Sequence, residues 1–274
     1  MRIPDTKPKH GRATGRGSQR FVDRALVLRR FRYGESSLVV HVLSEEHGRQ
    51  AILAKGAYRP KSGYCGVLDL FDTLQLGWSL PQGAELGTLS SGSILERRAA
   101  IARRLDSYRA ALSILEIAGI GARAGHEELE LFGLLQESLD ALKGTDADPA
   151  LVSAVFDLRF LQAQGLAPAL EACASCGQRP PAQRKLSSVL FSHALGGRIC
   201  SNCAAEAGSE APMESLQPAT LRVASSLQGT PFSQLARISL APDQTGRLAS
   251  FLRRFLEYHL ETRPRVSGPR PRTK

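Results

Sequence analysis

The segment EACASCGQRPPAQRKLSSVLFSHALGGRICSNC, residues 171–203, contains four of the five cysteines of this 274-residue chain. The cysteines form two C-x2-C pairs, Cys173/Cys176 and Cys200/Cys203. Two intervening residues let both sulfurs of a tight turn reach one ion at about 2.3 Å. Two glycines before the second pair free the backbone to turn there, and the residues between the pairs have strand character. The segment therefore predicts a zinc ribbon.

The number of ligands favours a structural ion over a catalytic one. Four thiolates fill the tetrahedral shell of zinc, so no position is left for a reactive water. A disulfide framework is disfavoured because the rest of the chain has the character of a cytoplasmic protein. A redox pair would need only one C-x2-C motif and would leave the other unexplained. Iron stays an alternative to zinc, although no redox task is evident.

Outside this segment, the net positive charge lies at the two ends of the chain. The formal net charge is +10, and residues 1–20 and 263–274 each carry +5, which leaves the body between them neutral. Both ends are rich in Gly, Pro and Thr and lack apolar periodicity, so each is predicted to be a disordered basic extension. Basic arms favour polyanions through counterion release, and nucleic acid is therefore a candidate partner. The alternative is a solubilising tail.

The apolar pattern argues against membrane contact. No apolar run approaches the roughly 18 residues that span a bilayer. Residues 1–20 also lack the apolar centre of a secretory signal. We therefore expect a cytoplasmic protein with no membrane partner, associated with the nucleoid if it binds DNA.

Residues 21–95 are predicted to form a small β-barrel. Turns that contain Gly, Pro or Glu-His-Gly separate five short apolar runs, at 24–31, 36–43, 48–55, 67–78 and 86–95. Five such strands within about seventy residues are typical of a small barrel.

Residues 96–262 change to a helical apolar period. The third of the predicted helices starts at Asp148-Pro149, an N-cap followed by proline at the first helical position. This helix is apolar on most sides, so we expect it to be central and buried. The fold class is therefore α+β, with a five-stranded barrel followed by a helical domain that carries the zinc ribbon, residues 171–205, as an insertion.

A basic loop with two tyrosines follows the third predicted strand, in GRQAILAKGAYRPKSGY (48–64). Basic groups can follow a phosphate backbone, while aromatic rings offer stacking surfaces to unpaired bases. The alternative is a solvated hairpin loop whose tyrosines cap the barrel. The predicted DNA-binding residues are Arg49, Lys55, Tyr58, Arg59, Lys61 and Tyr64, together with Arg97, Arg98, Arg103 and Arg104 at the start of the helical domain.

No catalytic motif is apparent. The chain lacks a phosphate-binding G-x4-GK-[ST] loop, a G-x-G-x-x-G strand end, an H-E-x-x-H zinc motif and a G-x-S-x-G elbow. The six histidines are scattered without ligand spacing. We therefore expect a binding protein and not an enzyme.

Three blocks of this sequence resemble the RecO family. They are RYGESSLVVHVLSEEHGRQAILAKGAYRPKS (32–62), FDLRFLQAQGLAPALEACASCG (156–177) and FSHALGGRICSNC (191–203). The blocks are independent and occur in the family's order, so the resemblance covers most of the chain.

The resemblance implies an N-terminal five-stranded OB-fold and a helical domain that includes a structural Zn²⁺ site. It also implies a recombination mediator in DNA repair that binds single- and double-stranded DNA and anneals complementary strands. The implied partners are RecR and the C-terminal tail of single-strand DNA-binding protein, and together these help to load RecA onto coated single strands. Some family members lack the cysteines, so the metal is not required for the function of the family.

The acidic tail of single-strand DNA-binding protein should seek an apolar groove with a basic rim. The last predicted helix offers Phe251 and Phe255 on one side and Arg253 and Arg254 on the other. An ordinary amphipathic core helix explains the same pattern and is preferred. The alternative function for the whole chain is a zinc-ribbon transcription or translation factor, which would select a particular nucleic-acid sequence.

Overall fold

The computed structural model describes residues 17–64, 66–179, 187–207 and 212–261. The two predicted basic extensions lie outside these residues, apart from positions 17–20. Within the described part of the chain, no helix is both long enough and apolar enough to cross a membrane.

Five strands form the predicted N-terminal barrel. They are β1 (Ser18–Tyr33), β2 (Ser37–Ser44), β3 (Gly48–Ala54), β4 (Thr73–Pro81) and β5 (Leu86–Glu96). The barrel closes in the order β1-β2-β3-β5-β4, with β4 paired back to β1. β3 and β5 run parallel, while the other pairs are antiparallel. This five-stranded closed topology is that of an OB-fold, so the predicted barrel is confirmed.

The barrel begins earlier than predicted. Ser18, Gln19 and Arg20 pair with β4 opposite Pro81, Leu80 and Ser79, so these residues belong to the barrel and not to a disordered extension. Their pairing uses backbone N–H and C=O groups, while their side chains are exposed. Strand pairing of this kind leaves no apolar alternation in the sequence, which is why the pattern placed the boundary at residue 21.

Six α-helices follow the barrel in the part of the chain that the structure describes. They are α1 (Leu105–Gly121), α2 (Leu129–Lys143), α3 (Pro149–Ala163), α4 (Ser201–Ala207), α5 (Pro218–Gln228) and α6 (Pro242–His259). Short 3-10 helices at Ile101–Arg103 and Phe232–Arg237 complete the helical content of the described residues.

The third helix, α3, lies at the centre of the domain, as predicted. It packs against α1, α2, α5 and α6, and its Leu151, Phe156 and Phe160 are completely buried. The Asp148 carboxylate accepts a hydrogen bond from the Ala150 amide at 2.9 Å and so caps the helix. A Cβ at Gly121 of α1 would lie 2.4 Å from the Phe160 ring, which is how α1 comes so close to α3.

The ribbon is a small sheet on the helical domain. β6 (Val189–Ser192), β7 (Gly197–Ile199) and β8 (Glu214–Leu216) are antiparallel neighbours in the order β7-β6-β8. The β6–β7 hairpin is the predicted return between the cysteine pairs. β8 lies beyond the predicted ribbon limit of residue 205, and a strand of three residues carries no readable pattern.

The barrel and the helical domain meet closely at the turn that starts β3. Gly48 has φ of 62°, and a Cβ there would lie only 2.2 Å from the His126 carbonyl oxygen. The adjacent Arg49 amide donates to the Arg123 carbonyl at 2.9 Å. Any other residue at position 48 would therefore push the loop before α2 away from the barrel.

The buried guanidinium of Arg98 also connects the barrel to the helical domain. We call the contact between these two domains the junction. The Nε of Arg98 donates to Asp140 of α2 at 2.6 Å, and one terminal nitrogen donates to Glu96 at 2.8 Å. The other terminal nitrogen donates to the Phe71 carbonyl at 3.0 Å and the Thr73 hydroxyl at 2.8 Å. The side chain is 0% exposed, so these contacts replace water around the charge.

We expect Arg98→Met to destabilise the protein by on the order of 3 kcal/mol, because it leaves carboxylates and a carbonyl at the junction without their partner. Arg97→Met is the matched control, since its side chain is 54% exposed and should contribute less than about 1 kcal/mol. Urea unfolding of both variants measures the difference. Equal stability of the two variants would contradict the structural role of Arg98.

Candidate metal centre and nucleic-acid interface

The four cysteines of the two C-x2-C pairs come together at one point. Their sulfur atoms all lie within 4.8 Å of one another. Cys173 is buried in the segment that follows α3, and Cys176 is exposed. Cys203 lies in the first turn of α4. Four thiols gathered in this way form a site that can bind a metal ion.

One sulfur–sulfur distance in the cluster matches that of a tetrahedral ion. The Cys176 and Cys200 sulfurs lie 3.8 Å apart, and tetrahedral zinc with bonds of 2.3 Å requires a sulfur–sulfur distance of about 3.8 Å. The backbone supports the same arrangement, because the Cys200 amide faces the Cys173 sulfur at 3.4 Å and the Cys203 amide faces the Cys200 sulfur at 3.5 Å. Amide donors of this kind stabilise thiolates.

The first cysteine pair sits on a turn that is attached to the ribbon sheet. The Gly177 amide donates to the Cys173 carbonyl at 2.8 Å and so closes the turn. The Ala174 amide donates to the Arg198 carbonyl of β7 at 2.9 Å. At Gly197 of β7, a Cβ would lie 2.5 Å from that of Ala169. The hairpin and the turn can therefore bring the two cysteine pairs together only with glycine at position 197.

Hydrogen bonds within the cluster shift the pKa values of Cys173 and Cys203 in opposite directions. Burial alone would raise the pKa of Cys173, but backbone amides of Cys176, Cys200 and Ser175 outweigh it and lower that pKa to about 6. For Cys203, a hydrogen bond with Ser175 lowers the pKa, but those with Cys200 and Cys176 outweigh it and raise the pKa to about 12. A divalent ion would remove this competition, since all four sulfurs would then bind it as thiolates.

A second cluster of potential ligands, Asp23, Glu46 and His47, is explained by the fold. The Asp23 carboxylate accepts hydrogen bonds from the Ser44 hydroxyl, the Glu46 amide at 2.9 Å and the His47 ring at 3.1 Å. Burial alone would raise the pKa of Asp23, but these bonds outweigh it and lower that pKa. The cluster anchors the β2–β3 turn to β1.

The loop after β3 carries four of the ten predicted DNA-binding residues in exposed positions. Lys55, Arg59 and Lys61 are exposed, and the Tyr58 ring is 41% exposed with the Arg32 guanidinium 4.9 Å above it. Tyr64 differs, because its ring packs against the barrel core and its hydroxyl donates to the Ser90 carbonyl at 3.1 Å. Stacking of bases stays a prediction for both rings, of which Tyr58 is exposed and Tyr64 is half-buried.

The predicted arginines outside this loop have different surroundings. Arg49 is exposed but donates to the Gly119 carbonyl at the end of α1 at 3.0 Å. Arg97 is exposed and donates to the Gly66 carbonyl at 3.3 Å. Arg103 is exposed, whereas Arg104 is half-buried and donates to the Gly144 carbonyl after α2 at 2.6 Å. DNA contact by these four arginines stays a prediction.

Arg98 does not belong in the predicted set. Its guanidinium is fully buried and hydrogen-bonded to the junction, so it has no surface to offer to DNA. In the sequence it is one of four arginines near the start of the first helix, and composition does not distinguish a buried member of such a group from an exposed one.

The structure adds an exposed group that the sequence analysis did not select. It consists of Arg29, Phe31, Arg32 and Tyr33 at the end of β1, with the half-buried His41 of β2 beside Phe31. The signal was present in the run RRFRY (29–33), which alternates cations with aromatic rings. That run was interpreted only as a strand and a hairpin turn.

The predicted partner groove on α6 is not open. Phe251 and Phe255 are 0% exposed, and both contact Phe191 of β6, with ring centroids 5.0 and 5.9 Å apart. The core-helix interpretation is therefore correct for these two residues. Arg254 forms a salt bridge of 2.8 Å with Glu214 of β8.

Arg253 remains exposed on the same helix. Burial raises the pKa of the Asp157 carboxyl on α3 to about 8. The charge of Arg253 acts to lower that pKa, but the effect of burial is larger. Partner contact at Arg253 and Arg254 stays a prediction.

Comparisons with known proteins agree with this architecture. The family model described as Recombination protein O N terminal matches residues 19–98, and the one described as Recombination protein O C terminal matches residues 102–268. These two matches cover the barrel and the helical domain in turn.

Several curated relatives are similar over most of their length. The chain is 34% identical over 238 residues to the DNA repair protein RecO of Anaeromyxobacter sp. (strain K), which is 87% of this chain and 91% of that protein. The RecO of Desulfatibacillum aliphaticivorans is 30% identical over 245 residues, 88% of this chain and 92% of that protein. The RecO of Desulfitobacterium hafniense is 33% identical over 187 residues, 68% of this chain and 66% of that protein.

The fold and the cysteine cluster define a two-domain protein in which an OB-fold barrel is joined to a helical domain with a candidate metal centre. The chain belongs to the RecO family.

Removal of the metal should destabilise the helical domain. We expect the purified protein to contain about one equivalent of zinc by elemental analysis, and Cys173→Ser to lose the metal and to lower Tm by about 5–10 °C, since metal binding at such sites contributes directly to folding. Cys65→Ser, which changes the cysteine outside both pairs, is the control. A metal-free wild-type protein with unchanged Tm would contradict a structural ion.

Proposed function

We propose that this protein is a DNA-binding recombination mediator that acts in DNA repair. It anneals complementary strands and, together with RecR, helps to load RecA onto single strands coated by single-strand DNA-binding protein. It does so by binding and not by catalysis, and four of its five cysteines hold a structural Zn²⁺. Membership of the RecO family supports this proposal, and the printed names of the relatives describe DNA repair proteins.

The observation that carries the proposal is the exposed loop on an OB-type barrel. The loop presents three cations, Lys55, Arg59 and Lys61, around the exposed ring of Tyr58. Cations that follow the phosphates and a ring that stacks on a base are the two elements of binding to an unpaired strand. The loop also lies against the β1–β2 turn, where the Tyr58 amide donates to the Ser36 carbonyl at 2.9 Å. The loop is therefore attached to the barrel through the backbone of Tyr58, near the middle of the loop.

Annealing follows from the same charges. Two DNA strands repel each other through their phosphates, and lysines and arginines that neutralise some phosphates lower that repulsion. Arg97 and Arg103 are further exposed cations, between β5 and the first helix of the helical domain. No base-specific contact is required, so strands of any complementary sequence should be annealed.

The partners would act on the other parts of the molecule. The acidic tail of single-strand DNA-binding protein is suited to the cations Arg253 and Arg254 on α6, because opposite charges steer and orient such contacts. Recruitment in this way would bring the barrel to DNA that is already coated. RecR would then complete the assembly that loads RecA onto the single strand. We place this action in the cytoplasm, at the nucleoid.

Replacement of the three loop cations tests the DNA contact. We expect Lys55→Ala/Arg59→Ala/Lys61→Ala to weaken binding to a single strand and to reduce the slope of log affinity against log salt by about 2, since each lost phosphate contact removes about 0.7. The control is Arg222→Ala/Arg237→Ala/Arg247→Ala, which removes the same charge from the helical domain, at two exposed positions and at the half-buried Arg247. Equal losses in both variants would show that net charge alone is responsible.

An annealing assay tests the mediator function. Two complementary strands coated with single-strand DNA-binding protein should anneal faster with this protein, and addition of RecR should allow RecA to displace the coat. The loop variant should anneal more slowly than its control. No acceleration by the wild-type protein, combined with selective binding to one duplex or RNA sequence, would instead favour a transcription or translation factor.

A further inference from the structure

Two adjacent arginines of α6 differ in what they contact. Arg253 is exposed and forms no salt bridge with any other residue that the structure describes. Arg254 is also at the surface, but its Nη2 lies 2.8 Å from a carboxylate oxygen of Glu214 on β8. One of the two cations is therefore already paired with an acid of this chain.

The ribbon sheet fixes the position of Glu214 relative to α6. Glu214 pairs with Phe191 of β6, and Phe191 is completely buried against Phe251 and Phe255 of α6. The Glu214 side chain keeps only 26% of its surface exposed. A side chain held in this way loses little conformational freedom when it pairs with Arg254, so this pair is more favourable than one between two mobile surface side chains.

His193, directly after β6, closes the other side of the Glu214 carboxylate. Its Nε2 lies 3.0 Å from the second carboxylate oxygen of Glu214, and its ring stacks on that of Tyr258 with centroids 6.3 Å apart. Burial, helped by the charge of Arg254, lowers the pKa of His193 below 6.5 and outweighs the Glu214 carboxylate, which acts to raise that pKa. His193 is therefore mainly neutral at pH 7, and the charge of Glu214 is balanced by Arg254.

A carboxylate from outside the protein would present the same chemical group to Arg254 as Glu214 does. The guanidinium is accessible, since 45% of the Arg254 side chain is exposed, as is 52% of Tyr258 one turn further along α6. An incoming carboxylate must either displace Glu214 or lie beside it, where the two negative charges repel each other. Both arrangements weaken the binding of an acidic peptide at Arg254.

We propose that Glu214 is an internal competitor that lowers the affinity of α6 for acidic peptides by occupying Arg254. This inference rests on the proposed contact of an acidic tail with Arg253 and Arg254, and it adds regulation to that contact. A peptide meets the unpaired Arg253 first and reaches Arg254 only when Glu214 moves. The coupling is reciprocal, so a change that moves β8 away from α6 should raise the affinity for the peptide.

The test measures binding of a fluorescent acidic peptide, the C-terminal tail of single-strand DNA-binding protein, by anisotropy at neutral pH and constant salt. We expect Glu214→Gln to bind this peptide about threefold more tightly than wild type, the size expected for removal of one partly exposed ion pair. The matched control is Glu206→Gln, which removes the same charge from an exposed position of α4 that forms no salt bridge within the described residues. This control should bind the peptide as wild type does.

A double variant shows whether the gain acts through Arg254. Arg254→Gln should weaken binding of the peptide, and Glu214→Gln/Arg254→Gln should bind no more tightly than Arg254→Gln alone, because no cation is left to release. A peptide with Asn and Gln in place of its acids should not distinguish Glu214→Gln from wild type. These comparisons separate local competition from an effect of net charge.

No gain for Glu214→Gln, while wild type binds the acidic peptide, would overturn the inference and leave the proposed partner contact intact. An equal gain for Glu206→Gln, or a gain that persists without Arg254, would also overturn it, because net charge then explains the result. Failure of both wild type and Glu214→Gln to bind the peptide would overturn the inference together with the partner contact. If circular dichroism shows that Glu214→Gln is unfolded, Glu214→Ala removes the same carboxylate and is judged by the same outcomes.

Discussion

The buried charge of Arg98 is the interaction on which the arrangement of the two domains depends. A guanidinium without water must have its donors paired, and here the partners come from β4, from the end of β5 and from α2. The carboxylates of Glu96 and Asp140 are themselves partly exposed, so the cost of desolvation falls mainly on the arginine. Because these partners belong to both domains, the contacts of Arg98 are satisfied only when the barrel and α2 are in their observed positions.

The position of the barrel decides which surfaces remain available. One side of it, with Leu26, Leu28 and Leu43, is buried in the same apolar core as the helices. The far end of β1, from Arg29 to Tyr33, and the loop after β3 keep their cations and rings in solvent. The proposed DNA contacts therefore lie on the barrel, whereas the candidate metal centre lies on the helical domain. The ribbon sheet in turn covers α6, since Phe191 contacts both of its buried phenylalanines.

Local patterns predicted the elements whose physics is local. The C-x2-C spacing identified the metal site because each pair must form its own tight turn around an ion, whatever the rest of the chain does. Asp148-Pro149 identified the start of α3 because a cap satisfies amides within its own first turn. The early start of β1 was missed because Ser18, Gln19 and Arg20 are held by backbone pairing with β4. β8 was missed because three residues are too few to show a period.

The sequence by itself determined the α+β fold class, the barrel, the cysteine site and the family, since each depends on spacing or on the order of motifs along the chain. Only the tertiary structure decided the roles of individual side chains. Arg97 and Arg98 are adjacent in sequence and identical in chemistry, yet one is exposed and the other is enclosed at the junction. Burial depends on what packs against a residue from distant parts of the chain. For the same reason the run RRFRY became recognisable as an exposed surface only once the strands that flank it were in place.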